Sequence, residues 1–489
     1  MSLKTREEYL DSLRQQKTVV YFMGERIENV VDSPYLRPHI ESAAMTYHLA
    51  HDPVFQDLMV VESSLTGKKI NRFTHIHQST EDLVKKVKMM RMIGQRTGSC
   101  FQRCVGFDAL NALYTVTYEI DQKYGTEYHD RIKKYLEYVQ ENDLMCAGAM
   151  TDPKGDRSKK PSQQADPDLY TRVVEKRPDG IVVRGAKAHQ TGIVNSHEFI
   201  VMPTTALGPD DADYAVACAI PVDAPGVIHI FGRQTNDLRK AQGGIDAGNG
   251  RFGMVGGEAL TVMNDVFVPW ERVFMCGETD FAGLFVERFA AYHRQNYGGC
   301  KVGLADIIIG ACSAMAYYNG VEKASHIRDK IVDMIHLAET LYTGSIACSA
   351  EGRPLPCGSY YVDTMLANIT KLNVTKNIYE ICRLAHDITG GFIATLPSEA
   401  DFRHPEIGQY VEKYFRGRAD VPTEVRIRMA RLIENMTGGT ALAESMHGAG
   451  SPQAMRIMLL REGNLPHKVK LAEELSGVDK VLDKTEKPA

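Results

Sequence analysis

The spacing of apolar residues changes period twice along this chain. That change restricts it to a fold in which a strand-built middle is flanked by helices. From Thr5 to about Asp143, segments such as TEDLVKKVKMMRMIGQ repeat their apolar residues at three- and four-residue intervals, the period of a half-buried helix. Pro-bearing stretches such as SPYLRP and HDPVF punctuate them. Over about 150–275 the runs GIVVRGAKAHQTG, SHEFIVMPT, DYAVACAIPVD, VIHIFGRQ and ALTVMNDVFVPWERVFM are short and rich in Val, Ile and Phe. Gly, Pro, Asn and Asp separate them, so this stretch predicts strands and turns in a mostly antiparallel barrel or sandwich. Helical spacing returns at Phe281 and lasts to about Glu474. The chain holds no internal repeat or low-complexity segment, and its last residues, GVDKVLDKTEKPA, predict a frayed polar end.

Composition narrows the function classes. The 489 residues are 44% hydrophobic and 24% charged, with a net charge of −5, so nothing points to nucleic acid or to a charged tail. The N-terminus lacks the apolar core of a secretory signal. The most apolar helix candidate, VGLADIIIGACSAMA from Val302, contains Asp306 and is expected to be too short for a bilayer. A cytoplasmic protein is expected. In a long chain of that kind the ten cysteines are expected to be thiols, most of them buried as small hydrophobes.

A subset of those cysteines has another reading. Cys100 and Cys104 lie in TGSCFQRCVG; at ~100° per residue, four residues return to nearly the same helix face. RFAAYHRQNYGGCKVG places His293, Tyr297 and Cys300 on one face if the helix persists, although Gly298 and Gly299 offer a break and a close backbone approach. Singly, each is better explained by a buried core residue. Together, three Cys and one His form a donor set soft enough for an iron–sulfur cluster or zinc, and spacing does not choose between them.

No Gly-x-Gly-x-x-Gly follows an early strand, which argues against a Rossmann site. MTDPKGDRS, at the entry to the strand region, offers Lys154, Asp156 and Arg157 to a pyrophosphate or ribose, with Thr151 and Pro153 in the same candidate cofactor loop, or is simply an exposed turn. KAHQTG ends a strand with Gln190 and Thr191, able to hydrogen-bond a flavin edge. Gly390 and Gly391 of ITGGF would meet phosphates or cap a helix.

RTGSCFQRCVG, MTDPKGDR, VRGAKAHQTG, RFAAYHRQNYGGCKVG, LPSEADF and ESMHGAGSPQA together resemble the 4-hydroxybutyryl-CoA dehydratase family, over about Tyr9 to Glu462. VFVPWERVF resembles a strand of the wider group that includes two-component flavin aromatic hydroxylases and acyl-CoA dehydrogenases. The resemblance implies an α+β, acyl-CoA dehydrogenase-like fold: an N-terminal helical domain over 1–147, a β domain over 148–278 and a C-terminal four-helix bundle over 279–489. It implies a homotetramer carrying FAD and a 4Fe-4S cluster, and an acyl-CoA substrate. The expected activity is radical dehydration of 4-hydroxybutyryl-CoA to crotonyl-CoA, with isomerisation of vinylacetyl-CoA. FAD would act as a transient one-electron acceptor and the cluster as a Lewis acid. Cys100, Cys104, His293 and Cys300 match the cluster ligands; Glu258, Lys301, Tyr297, Glu444, Gln102 and Thr191 match polar active-site positions, His293 being shared. The rival reading is a two-component FAD-dependent aromatic hydroxylase without a cluster.

Overall fold

In the computed structural model, residues 3–235, 237–248, 252–253 and 257–478 are described; all but the first two residues of the expected polar end lie outside them. Helices precede and follow a pair of sheets. A six-stranded sheet runs in the order Glu25–Ile27, Val20–Phe22, Val227–Phe231, Glu258–Pro269, Gly180–Thr191, Arg172–Arg177. A four-stranded sheet runs Val273–Cys276, Val216–Pro221, Glu198–Val201, Cys146–Ala149. Pairing is antiparallel except for Val20–Phe22 with Val227–Phe231 and Cys146–Ala149 with Glu198–Val201. One apolar cluster, which includes Phe199, Met263 and Val266, is shared between the sheets and the N-terminal helices.

The helical reading of the first 143 residues missed short strands. Val20–Phe22 and Glu25–Ile27 form a hairpin whose loop residues, Met23 and Gly24, both have positive φ. Such a turn matches the twist of a hairpin. Three-residue strands are too short to show a period of two, and pairing with a sheet strand two hundred residues later is what stabilises them.

Seven helices surround the candidate site: α1 (Thr80–Thr97), α2 (Cys104–Tyr124), α3 (Thr279–Tyr318), α4 (Ser325–Ala350), α5 (Thr364–Thr389), α6 (Thr423–Met436) and α7 (Gly439–His447). The Ser79 side chain caps α1 by accepting from the Asp82 N–H, and Gly98 ends it in the left-handed conformation. α3 runs unbroken through Gly298 and Gly299, so these glycines do not interrupt it. They let helices cross closely. A Cβ on Gly299 would lie 2.6 Å from the Val87 carbonyl of α1, one on Gly303 2.3 Å from that of Arg91, and one on Gly298 2.3 Å from that of Leu341 in α4.

α3 also corrects the expected length. At 40 residues it is long and apolar enough to cross a membrane by length and composition alone, and more than half of its most apolar window is buried against other helices. Its Asp306 pairs with Arg91 of α1 at 2.9 Å, and Arg91 also reaches Glu339 of α4 at 2.6 Å.

Candidate active site

Cys100 and Cys104 do not share a helix face. After Gly98 ends α1, the chain crosses an irregular segment in which Gln102 has φ +65°, and Cys104 is the first residue of α2. The left-handed Gln102 keeps helix from starting earlier. It is held there by its own amide, which accepts from Asn195 at 2.7 Å and donates to the His39 carbonyl at 3.2 Å. All ten cysteines are free.

Cys300, one turn beyond Tyr297 on α3, joins Cys100 and Cys104 at the crossing of α1, α2 and α3. Burial pushes the Cys100 and Cys104 thiols well up; Glu444 raises Cys100 further, and Cys100 and Cys300 raise Cys104. Burial lifts Cys300 to about 11, against the pull of Lys301. Held neutral in this way, the thiols would have to lose their protons to bind a cation. Among the described residues no three His, Cys, Asp or Glu side chains close on a point as a single-ion site does.

His293 is buried beside Tyr297. Its ring stacks on Phe289 at 5.4 Å and meets the Tyr297 ring edge-on at 5.6 Å. Its Nδ1 lies 2.8 Å from Asp108 Oδ2, so Nε2 is the nitrogen left to bind an iron or take a proton. Asp108, fully buried on α2, also accepts from Lys86 Nζ of α1 at 2.5 Å and from Asn296 Nδ2 at 2.5 Å. Asp108 escaped sequence analysis. The available signal was its place four residues after Cys104, on the same face of α2.

A second set of groups adjoins Tyr297. Lys301 pairs with Glu444 of α7. Burial works against its charge, but Glu444 and the Cys300 and Cys100 thiols outweigh that and hold it above the usual lysine range. Burial likewise raises the Tyr297 phenol well above its ordinary value, with Glu444 adding to it. Lys371 of α5 was also missed. Its ammonium stands 4.3 Å from the Tyr297 ring centre and donates to the Ser445 carbonyl at 2.6 Å. Burial pulls it down to about 7. A lysine on the buried face of an amphipathic helix, level with Ala367, Val374 and Ile378, was the legible sign. Cys100, Lys301, Ala305, Cys382, Met436 and Glu444 line a pocket between these helices that combines charged and apolar side chains.

Strand register supplies the remaining carboxyl. Glu258 lies directly opposite Thr191, whose hydroxyl donates to it at 2.8 Å. Burial lifts Glu258 to about 8, the Thr191 hydrogen bond opposes this, and Glu444 adds to it. Next to Thr191, the Gln190 amide donates to the Thr151 carbonyl at 3.4 Å, which stitches the 150–158 loop to the strand end. Within that loop Asp152 is structural: it is buried against Lys187 at 3.0 Å. Lys154 is half-buried and Pro153, Asp156 and Arg157 are exposed, with Asp156 holding the Ser158 hydroxyl at 2.7 Å. A strand-end hydroxyl and amide beside an open loop with two cations fit a flavin dinucleotide. Gly390 acts as a helix cap: it ends α5 with φ +79° and its N–H bonds the His386 carbonyl at 2.8 Å, and both it and Gly391 are exposed.

The chain matches the family models described as 4-hydroxyphenylacetate 3-hydroxylase N terminal, over residues 5–275, and C terminal, over residues 282–477. It therefore belongs to the 4-hydroxyphenylacetate 3-hydroxylase family. Within that family it is 56% identical to 4-hydroxybutyryl-CoA dehydratase/vinylacetyl-CoA-Delta-isomerase of Clostridium aminobutyricum, over 97% of this chain and 100% of that protein. The solved oxygen-tolerant archaeal 4-hydroxybutyryl-CoA dehydratase of N. maritimus superposes with a TM-score of 0.95 at 52% identity, covering 98% of this chain and 95% of that one. The oxygenase component of 4-hydroxyphenylacetate 3-monooxygenase complexed with FAD shares the fold: TM-score 0.83 at 24% identity, over 98% of this chain and 100% of that one.

Proposed function

We propose that this chain dehydrates 4-hydroxybutyryl-CoA to crotonyl-CoA and isomerises vinylacetyl-CoA to crotonyl-CoA, with FAD and a 4Fe-4S cluster as resident groups. One observation carries the reading. The chain is 56% identical to an enzyme of that name, and the thiols of Cys100, Cys104 and Cys300 lie near enough to Tyr297 to raise its phenol, which supports a shared site. An aromatic hydroxylase on this scaffold has no use for them.

Cys100, Cys104, Cys300 and His293 Nε2 would hold the cluster. Thr151, Lys154, Arg157, Gln190 and Thr191 would hold FAD, with Pro153, Asp156, Gly390 and Gly391 as further candidates. When bound, FAD supplies one-electron oxidation and return, and the cluster supplies a Lewis-acidic iron for an oxygen ligand.

The protein's own groups handle protons. Dehydration removes protons from C2 and C3, expels the C4 hydroxyl as water, and returns one proton to C4; isomerisation needs only the loss from C2 and the gain at C4. The C2 proton is acidic because the thioester carbonyl shares the resulting charge. Lys301, kept charged beside Glu444, stabilises that charge on the thioester oxygen. His293, its Nδ1 engaged by Asp108, would have Nε2 available as a base whenever that nitrogen is not bound to iron. The neutral Tyr297 phenol donates to the departing hydroxyl. Glu258, held protonated near neutral pH, delivers a proton to carbon and is reset by solvent. Gln102 shapes the Cys100 segment rather than touching substrate. An assembly of four copies, implied by the resemblance, completes this reading.

Anaerobic conversion of 4-hydroxybutyryl-CoA, with iron, sulfide and flavin measured on the same sample, tests it. Crotonyl-CoA formation with about four irons per chain supports it. Flavin without iron, together with hydroxylation of a phenol, overturns it. His293→Ala should abolish dehydration.

A further inference from the structure

We propose that Asp108 is a positioning residue that fixes the tautomer and orientation of His293, and that Lys86 and Asn296 hold it in place for that task. The inference rests on the reading of His293 as a cluster ligand and adds a residue to it. Three helices meet at this carboxylate. Lys86 of α1 donates to its Oδ1 at 2.5 Å, and Asn296 and His293 of α3 meet its Oδ2 at 2.5 and 2.8 Å. Lys86 and Asp108 are both fully buried. A carboxylate paired with an ammonium has only acceptor capacity, so in the contact between His293 and Asp108 the hydrogen belongs to His293 Nδ1, while Asn296 donates a second one to the same oxygen. That assigns the Nε2 lone pair as the free one.

The same lysine also secures the backbone. Lys86 Nζ donates to the Tyr292 carbonyl at 3.0 Å, one residue before His293. The imidazole is thus held at Nδ1 by Asp108, on one face by Phe289, and through the preceding peptide by Lys86. A hydrogen-bonded carboxylate behind a ligating imidazole typically contributes ~10–100-fold to metal affinity or activity.

The alternative is a buried ion pair that only stabilises the helix crossing. The two readings separate in the rate at which anaerobically purified protein loses iron to a chelator. Lys86→Met/Asp108→Leu removes both charges together, so neither is left buried alone; Asp108→Asn is the milder variant should that pair fail to fold. Each is made in the wild-type and in the His293→Ala background. The expected result is iron loss accelerated at least ~10-fold in the wild-type background, and no further acceleration once His293 is absent. Equal acceleration in both backgrounds, or unchanged retention with a lowered Tm, overturns the assignment and leaves Asp108 structural. Wild-type protein that holds no iron, or a His293→Ala protein that keeps it as well as wild type, refutes the ligand reading itself and the inference with it.

Discussion

Gly448 offers the sharpest test of how the C-terminal helices shape the site. It follows α7 with φ −57° and ψ 138°, a conformation any residue adopts, so backbone freedom does not require glycine there. Space does. A Cβ at this position would lie 1.9 Å from the Tyr297 phenol oxygen, about 1.1 Å inside the 3.0 Å limit for real Cβ contacts. Tyr297 has nowhere to retreat. It is 3% exposed, with the His293 ring against it at 5.6 Å and the Lys371 ammonium 4.3 Å from its ring centre. Gly448→Ala must therefore displace the phenol or lift the turn that carries Glu444. Overpacking of this kind costs ~1–3 kcal/mol, and a ~1 Å displacement of a catalytic group can cost ~10²-fold in rate.

Tyr297→Phe separates the clash from everything else. Without the phenol oxygen, the nearest ring atom to the new Cβ is Cζ at 3.2 Å, a contact that a shift of tenths of an ångström relieves. The 2.8 Å approach to the Glu444 carbonyl persists in both backgrounds and cancels in a double-mutant cycle. Urea unfolding of the four proteins should give a coupling of ~1–2 kcal/mol, with Gly448→Ala far less damaging when Tyr297 is already Phe. Equal destabilisation in the two backgrounds would refute the argument, because the phenol would then not be what the glycine makes room for.

Glu258, at about 8, binds its proton more tightly folded than unfolded, where its ordinary value is 4.5. This contribution is therefore complete below about pH 4.5 and drains away as pH rises to about 8; with the side chain only half-buried, solvent screening leaves it on the order of 1–3 kcal/mol. Glu258→Gln should gain stability relative to wild type between pH 5.5 and 9 in urea titrations; parallel curves would contradict the raised acid. Thr191→Val removes the hydrogen bond that opposes the shift, so the alkaline limb of the isomerisation rate should move to higher pH, and a limb that stays put removes Glu258 from proton delivery. Lys371→Met leaves the Ser445 carbonyl without its 2.6 Å donor, which should cost ~1–3 kcal/mol in thermal or urea unfolding and lower kcat more than it raises KM. An unchanged kcat would make Lys371 a support of the fold alone.

Much of this arrangement was legible in the sequence because it depends on residue type and local period. The change from helix to strand and back needs only the spacing of apolar side chains, and three Cys with one His announce a soft donor set wherever they lie. Thr191 and Glu258 are different. Their pairing follows from strand register across 67 residues, and a one-residue slip would put them on opposite faces. Cys100 and Cys104 misled for a related reason. Four-residue spacing reads as one helix face, but Gly98 and the left-handed Gln102 delay the helix until Cys104, and that conformation is sustained by Asn195 and His39 from distant segments.

The glycines show what sequence reading treats backwards. Gly298 and Gly299, in the middle of a helical pattern, look like a break, because glycine costs a helix ~1 kcal/mol relative to alanine. α3 accepts that cost and continues. Approach between helices is the compensating gain: Val87 and Arg91 carbonyls of α1 and the Leu341 carbonyl of α4 occupy the volume that side chains at 299, 303 and 298 would fill. This close crossing sets the distances of the site. Lys86 reaches both Asp108 and the Tyr292 carbonyl because α1 lies so near α3, and His293 and Cys300 flank the glycines that permit it. Side chains that perform chemistry are recognisable by type. The residues that bring them together are recognisable only by what they lack, and that is visible once the neighbouring helix is in place.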